Sequence, residues 1–278
     1  MSATTNEGGI RVEPIAGALG AEVSGVDLRE PLSDATFKEI ETAWLEHQVL
    51  FFRDQPIDQQ QHNAFARRFG EIFTHPVLQP LKGDGKPEIF VLESDPARPF
   101  VASAWHTDVT FEQEPPMASV LRAVKVPDAG GDTMWASMYA AYDALSDTMK
   151  EILGGLTAMH DPGFFRNIAR SQGNIEFADR DPVRHPVIRT HPVTGRKCLF
   201  VNQTFTHHLH ELARAESDAL LGFLYEHINR PEFSCRFRWT PNAVAVWDNR
   251  CTQHRVIPDA MGSHRLMERL TIAGDRPV

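Results

Sequence analysis

The sequence lacks the patterns that mark several large classes of protein. It has three cysteines among 278 residues, Cys198, Cys235 and Cys251, and no C-x-x-C pair. This scarcity favours a reducing cytoplasm and argues against a disulfide framework and a cysteine-based zinc site. The first residues show no basic segment followed by an apolar one, so we expect no secretory signal. No apolar run reaches the roughly 18 residues that a membrane span requires, so we expect no membrane partner.

Positive charge is also scarce. Lys and Arg total 28 against 37 Asp and Glu, which gives a net charge of -9. Such a field repels phosphate backbones, so we expect no nucleic-acid partner. It also repels small anions, so an anionic substrate would need its own local arginines. The sequence contains no P-loop, no G-x-G-x-x-G and no G-x-S-x-G, so neither nucleotide binding nor a serine nucleophile has a motif to support it.

Short apolar runs separated by turns are what the sequence does contain, mainly from Glu88 onward. We predict strands at Arg11–Ile15, Ala21–Leu28, Val49–Phe52, Ile89–Leu92, Trp105–Phe111, Met117–Val126, Lys197–Val201, Ser234–Trp239, Ala243–Trp247 and Leu266–Ile272. We predict helices after an N-cap at Ser33 and at Asp58–Phe69, Tyr139–Leu145, Ser146–Leu153 and Ser217–Asn229. Because helices do not follow each strand, this order favours one domain over residues 1–278. We expect it to be mostly β with peripheral helices, a double-stranded β-helix or jelly roll.

Residues 161–184 depart from this pattern, with weak periodicity and many polar side chains. Long irregular segments inside a compact domain are usually lids or binding loops. We therefore predict a flexible lid near a functional site.

Thirteen histidines suggest a metal site, but spacing is better evidence than their number. His106 and Asp108 are two residues apart in a predicted strand, so both side chains point to one face. His254 supplies a second imidazole, and two histidines with one carboxylate are the ligand set of non-haem Fe(II) oxygenases. Zinc hydrolases also use such a set, but their helical H-E-x-x-H is absent here. The run His207–His210 is a weaker metal candidate, and we expect it in an exposed loop or at a helix start.

Arg265 and Arg269 lie four residues apart in a predicted strand, on one face and about 13 Å apart along it. Two arginines on the inner face of a jelly roll are costly to bury unless each meets an anion. The alternative is a pair of surface arginines.

These motifs occur together in an order that resembles the taurine dioxygenase family of Fe(II)/2-oxoglutarate-dependent dioxygenases. The resemblance covers about Val12 to Pro277. It is carried by Trp105-His-Thr-Asp-Val-Thr-Phe111, Gly130-Gly-Asp-Thr133, Trp247-Asp-Asn-Arg250, Thr252-Gln-His254 and the Arg265/Arg269 pair before Thr271-Ile-Ala-Gly-Asp275.

The resemblance implies roles for these residues. His106, Asp108 and His254 would bind Fe(II), and Arg265 would hold the distal carboxylate of 2-oxoglutarate with help from Thr133. The implied reaction consumes O2, converts 2-oxoglutarate to succinate and CO2, and replaces a substrate hydrogen atom by hydroxyl.

The resemblance also implies a substrate site. His75, Arg269 and the backbone N–H of Val109 match the groups that hold the sulfonate of taurine in the family. Leu78, Val101 and Ala102 stand where polar groups would hold the taurine amine, so a buried ammonium would lack a partner.

Phe205, with Phe164 and Phe165, would form an apolar wall. We therefore expect a small organic anion with an apolar tail, an alkyl or aryl sulfonate or a sulfate ester, hydroxylated next to its heteroatom. This places the sequence near the alkylsulfatase branch of the family.

Two alternatives remain open from the sequence. Phe223–His227 and Ser234–Trp239 resemble the aryloxyalkanoate dioxygenase branch, whose substrates are phenoxy acids. A protein of another class, a non-catalytic jelly-roll binding protein with a structural metal, is disfavoured because structural metal sites are normally closed. We also expect a homo-oligomer, a dimer or a tetramer.

Overall fold

The computed structural model describes residues 9–76, 89–97, 102–171, 173–260 and 262–278. The strands in this part of the chain are β1 Arg11–Pro14, β2 Ala21–Ser24, β3 Val49–Phe52, β4 Phe90–Ser94, β5 Ala118–Lys125, β6 Thr133–Ser137, β7 Thr157–His160, β8 Val183–Pro186, β9 Ile188–Thr190, β10 Lys197–Leu199, β11 Thr206–Leu209, β12 Ser234–Phe237, β13 Val244–Asp248, β14 Thr252–Val256 and β15 Arg265–Ile272. The helices are α1 Asp34–His47, α2 Gln59–Arg67, α3 Met138–Asp143, α4 Asp147–Gly154, α5 Gly163–Ser171, α6 Ile175–Ala178 and α7 Arg214–Ile228.

Two sheets build the centre of the fold. A seven-stranded sheet has the order β1-β2-β3-β13-β5-β15-β4, and a three-stranded sheet has the order β12-β6-β14. Side chains from both sheets, among them Phe51, Trp135, Phe237 and Trp247, form one buried cluster. The two sheets therefore pack face to face, as in a jelly roll.

The opposite face of the large sheet is covered by α1 and α2. Leu50 and Phe52 pack there with Trp44 and Phe65, while Phe51 between them points to the other sheet. This alternation follows from the two-residue period of a strand. The run Val49–Phe52 is buried on both faces because each face of this sheet has a covering layer.

The helix boundaries follow from side-chain caps. Ser33 accepts a hydrogen bond from the Thr36 backbone N–H at the start of α1, as predicted. Asp58 and Gln61 form a capping box at the start of α2, and Ser146 caps α4. Each cap satisfies a backbone donor that the first helical turn leaves without a partner.

Three predicted segments differ in the structure. Residues 105–111 were expected as a strand, but only His106 pairs, and the chain then turns at Asp108–Phe111. His207 and His208 lie in β11, which pairs with β7 across a register shift, rather than in a loop or helix start. The predicted lid segment, 161–184, contains α5, α6 and the beginning of β8, and its role as a lid stays a prediction.

Among the described residues, no helix has both the length and the apolar character needed to cross a membrane.

Close backbone packing holds the segment after β15 against the segment before β5. A Cβ at Gly274 would lie 2.0 Å from the Pro115 carbonyl oxygen, so we expect Gly274→Ala to force the backbone apart. The expected loss is about 3 kcal/mol of unfolding free energy, measured by urea denaturation.

Gly222→Ala is the matched control, since a Cβ there meets no described atom within 4 Å in the exposed interior of α7. It should stabilise the protein by about 0.5–1 kcal/mol. Equal stability of the two variants would contradict the packing argument.

Candidate active site

The site is built around a backbone pair between His106, which lies outside the regular strands, and His254 of β14. The backbones of His106 and His254 form an antiparallel bridge, with N–H to carbonyl distances of 3.1 and 2.8 Å. Their ring centres are consequently 4.2 Å apart. After His106 the chain turns, and Val109 adopts a positive φ of 53°. The turn brings Asp108 Oδ1 to 3.9 Å from His254 Nε2.

Donor atoms of His106, Asp108 and His254 all lie within 4.8 Å of one another. His106 Nδ1 lies 2.9 Å from the Ala104 carbonyl oxygen, to which it donates, so its Nε2 keeps a lone pair for a ligand. Two imidazole nitrogens and a carboxylate oxygen on one side of an ion leave coordination positions open, which suits Fe(II) in an oxygenase. The three residues thus fit the predicted ion, and their role as metal ligands stays a prediction.

Polar neighbours hold the carboxylate of Asp108. Its Oδ2 accepts a hydrogen bond from Ser119 Oγ at 2.8 Å and lies 3.5 Å from Asn249 Nδ2. Asn249 Oδ1 in turn accepts from Trp247 Nε1 at 2.8 Å. Asn249 thereby links Trp247 to the carboxylate of Asp108. Ser119 was not predicted, because a serine within an apolar strand has no distinguishing pattern.

The ionisation of these groups suits metal binding. Burial lowers the pKa of His106 and of His254, which keeps both rings neutral. Burial alone would raise the pKa of Asp108, but its neighbours, above all the Arg269 guanidinium, outweigh burial and hold that pKa well below its usual range. Neutral imidazoles and an ionised carboxylate are the forms that bind a cation.

Arg265 and Arg269 are both 8% exposed, which excludes the alternative of surface arginines. Burial lowers the pKa of Arg265 to about 10, so it stays a cation at neutral pH. Its Nε and Nη2 have no hydrogen-bond partner among the described residues. A buried cation with free donors is costly, and a carboxylate with two oxygens would satisfy them.

Thr133 lies at the start of β6. A Cβ on Gly131, two residues earlier, would lie 3.5 Å from Arg265 Cδ. Thr133 Oγ1 accepts a hydrogen bond from Trp239 Nε1 at 2.9 Å, so its own proton is available to another acceptor.

Arg269 lies beside the metal candidates. Its Nη1 donates to Asp108 Oδ1 at 2.8 Å, and its guanidinium carbon lies 5.2 Å from the centre of the Phe90 ring. The His75 ring stacks on Phe90 at 6.1 Å. Burial, with the charge of Arg269 as a smaller cause, lowers the pKa of His75 to about 3. His75 is therefore neutral and can offer an N–H but no charge.

Aromatic rings close the other side of the site. Phe205 lies 5.1 Å from Phe111, 6.0 Å from Phe165 and 6.4 Å from His106, measured between ring centres. Phe165 also lies 5.2 Å from His75. These contacts place an apolar surface next to the metal candidates.

The remaining predicted pocket residues are only partly described. The Ala102 carbonyl oxygen accepts from the Val256 N–H at 2.9 Å, two residues beyond His254. Leu78, Val101 and the side chain of Phe164 lie outside the described residues.

A second group of metal-type donors, His191, Asp248 and Cys251, lies within the same distance limit. Arg250 donates to both oxygens of Asp248, and His191 Nε2 lies 3.0 Å from Oδ2. His191 Nδ1 accepts from the N–H groups of Val193 and Thr194. Because both nitrogens of His191 and both oxygens of Asp248 are already hydrogen-bonded, this cluster is a poor site for an ion.

The two clusters can be told apart by metal titration. We expect His106→Gln to lower the affinity for Mn(II) at least about 100-fold, because a ligand is lost. His191→Gln should leave that affinity within about two-fold. The measurement is the electron paramagnetic resonance signal of free Mn(II). The opposite result would move the metal site to the second cluster.

Comparison with known proteins agrees with this geometry. The profile of the taurine catabolism dioxygenase TauD, TfdA family matches residues 11–271. The chain is 37% identical to the alpha-ketoglutarate-dependent sulfate ester dioxygenase of Pseudomonas putida, over 96% of this chain and 90% of that protein. It is 35% identical to the alpha-ketoglutarate-dependent 2,4-dichlorophenoxyacetate dioxygenase of Cupriavidus pinatubonensis, over 95% and 98% of the two.

A solved structure supports the same fold. The crystal structure of a taurine dioxygenase from Burkholderia xenovorans superposes with a TM-score of 0.84 at 36% identity and covers 97% of this chain and 92% of that one. The predicted jelly roll and the predicted family are both confirmed. The chain therefore belongs to the taurine catabolism dioxygenase TauD, TfdA family.

Proposed function

We propose that this family member is an Fe(II)/2-oxoglutarate-dependent dioxygenase that hydroxylates the carbon next to the heteroatom of a small organic anion with an apolar tail. The preferred substrates are alkyl or aryl sulfonates and sulfate esters. The observation that carries the proposal is the pair of buried arginines on β15, one with free donors and one beside the candidate metal carboxylate.

His106, Asp108 and His254 would hold the iron. When bound, Fe(II) with 2-oxoglutarate and O2 supplies the oxidising power, at the cost of converting 2-oxoglutarate to succinate and CO2. The protein contributes a fixed carboxylate, because Ser119 and Asn249 contact Oδ2 while Oδ1 accepts a hydrogen bond from Arg269 and faces His254.

Arg265 is the better of the two arginines for 2-oxoglutarate. Its free Nε and Nη2 can donate to both oxygens of one carboxylate, and Thr133 can add its hydroxyl proton. This arrangement would orient the cosubstrate with its keto acid end toward the iron ligands.

Arg269, His75 and the backbone N–H of Val109 would hold the charged head of the organic substrate. Arg269 supplies the positive charge, and the neutral His75 supplies a hydrogen bond. The tail would lie against Phe205 and Phe165, whose rings exclude water from the reacting carbon. For a sulfate ester, hydroxylation of the carbon that bears oxygen gives a product that collapses to an aldehyde and sulfate.

Two relatives support the substrate class. The Pseudomonas putida relative is named a sulfate ester dioxygenase, which favours the main proposal. The Cupriavidus pinatubonensis relative is named a 2,4-dichlorophenoxyacetate dioxygenase, and it is the reason to keep aryloxyalkanoates as the second candidate. Both classes place a small anion next to an apolar group.

Further proposals concern organisation and location. We infer one jelly-roll domain in which residues 161–184 act as a lid, because Phe177 of α6 packs with Phe111 and Phe205. We also infer a cytoplasmic enzyme, since its three cysteines are free and buried. The expected dimer or tetramer stays a prediction.

Succinate release tests the substrate class. With Fe(II) and O2 present, we expect release to depend on 2-oxoglutarate and to be fastest with alkyl sulfates or sulfonates, slower with phenoxyacetates. A preference for phenoxyacetates would select the second candidate. The absence of a visible charge-transfer band from the anaerobic protein with Fe(II) and 2-oxoglutarate would favour the alternative of a non-catalytic binding protein.

The two arginines should separate the two anions. Arg265→Met is expected to raise the KM for the cosubstrate 2-oxoglutarate about 100-fold, because a buried carboxylate loses its paired charge. Arg269→Met should raise the KM for the organic anion by a similar factor. Arg214→Met, on the exposed face of α7, is the control and should change neither. If both site variants affect the same KM, the assignment of the anions is wrong.

A further inference from the structure

Under the turn that carries Asp108 lies a cluster of buried polar groups that the proposed reaction does not use. It consists of Thr110, His160, His185 and Asn202, none more than 2% exposed. Asn202 Nδ2 donates to Thr110 Oγ1 at 3.0 Å, and Thr110 Oγ1 lies 2.9 Å from His160 Nδ1. His185 Nε2 lies 3.0 Å from the Thr110 carbonyl oxygen. Such a connected network in a low-dielectric interior fixes geometry strongly.

The turn above this cluster needs external support. Val109 has a φ of 53°, which a β-branched residue adopts only under strain. A conformation of this kind persists when its surroundings determine it. Thr110 follows Val109 directly and has both its hydroxyl and its carbonyl oxygen engaged by the cluster. His185 Nε2 also lies 2.9 Å from the Glu112 carbonyl oxygen, so the far end of the turn is held too.

The same Asn202 amide also holds the aromatic wall. Its Oδ1 accepts a hydrogen bond from the Phe205 backbone N–H at 2.9 Å. The two contacts assign the amide orientation, since the oxygen must face the N–H of Phe205 and the NH2 group must face Thr110. The amide of Asn202 thus binds the turn through its NH2 group and the backbone of Phe205 through its oxygen.

We propose that Asn202 is a positioning residue that sets the distance between the turn at Val109 and the Phe205 wall, and thereby the tail length the enzyme selects. The inference rests on the proposed function, in which the turn at Val109 binds the charged head of the organic substrate and Phe205 contacts its apolar tail. In this arrangement Asn202 contacts neither the head nor the tail of the substrate, so it acts through Thr110 and Phe205.

Loss of this link should alter selectivity more than the binding of 2-oxoglutarate. Thr110→Val keeps the side-chain shape but removes the hydroxyl that Asn202 needs, and Asn202→Ala removes the link itself. In both variants we expect the ratio of kcat/KM for hexyl sulfate over propyl sulfate to fall at least about five-fold. The reason is that the distance between the Phe205 ring and the site of the charged head is no longer fixed. The KM for the cosubstrate should stay within about two-fold, since Arg265 is untouched.

Two controls separate positioning from mere destabilisation. Thr110→Ser restores the hydroxyl and should return the ratio to that of the wild type. Ser217→Ala removes a fully buried hydroxyl that accepts the Leu209 N–H, away from the turn, and should lower the melting temperature without changing the ratio. The double variant Thr110→Val/Asn202→Ala should lower the ratio no further than Asn202→Ala alone, because both substitutions interrupt the same link.

The proposal is overturned if Thr110→Val and Asn202→Ala lose stability as Ser217→Ala does while the ratio stays at the wild-type value. Amide hydrogen exchange gives a readout that needs no substrate. In either variant, exchange should accelerate in residues 107–112 and in residues 202–206 together. If the wild type oxidises none of the anions, the proposed function fails, but the exchange experiment still tests the role of Asn202. Faster exchange confined to the substituted segment would refute the link between the turn and Phe205. Faster exchange in both segments would support it.

Discussion

The backbone bridge between His106 and His254 is the constraint on which the site depends. It attaches a turn outside the sheets to β14 through two hydrogen bonds. Because the two histidines are paired through this bridge, their rings lie next to each other. A single turn of the chain after His106 then brings Asp108 close to His254. Backbone pairing thus holds the three candidate donors close together. An ion that binds there does not have to organise its own ligands, which preserves its affinity.

Charge explains why two arginines are buried in a protein with a net charge of -9. With neutral imidazoles, the carboxylate of Asp108 and the guanidinium groups of Arg265 and Arg269 leave the site with one positive charge. A divalent ion raises this to three. The two charges of 2-oxoglutarate and the single charge of an organic sulfate bring it to zero. With the proposed function, the charges of the site therefore balance only when two anions are present, one for each arginine.

Local patterns predicted the parts of the fold that local interactions decide. The helix after Ser33 and the strand Val49–Phe52 were predicted correctly, because a side-chain cap and a run of apolar residues act within a few positions. The segment 105–111 was not, since its turn at Val109 depends on partners that are distant in sequence. Ser119 and Asn202 escaped prediction for the same reason: their roles arise from contacts across the fold.

The two ends of the site rest on different structural units. The proposed donors for metal and anions come from β14, β15 and the turn bridged to β14, all held by paired backbones. The apolar wall comes from α5, α6 and the segment before β11, which contribute Phe165, Phe177 and Phe205.

Side chains on helices and loops can change in size without disturbing the pairing of the strands. One anion-binding and metal-binding frame can therefore serve different tails, which accounts for relatives named for sulfate esters and for phenoxyacetates at nearly equal identity to this chain. In this chain the strands carry the proposed metal and anion sites, and the proposed selectivity for the tail depends on how the wall is held against them.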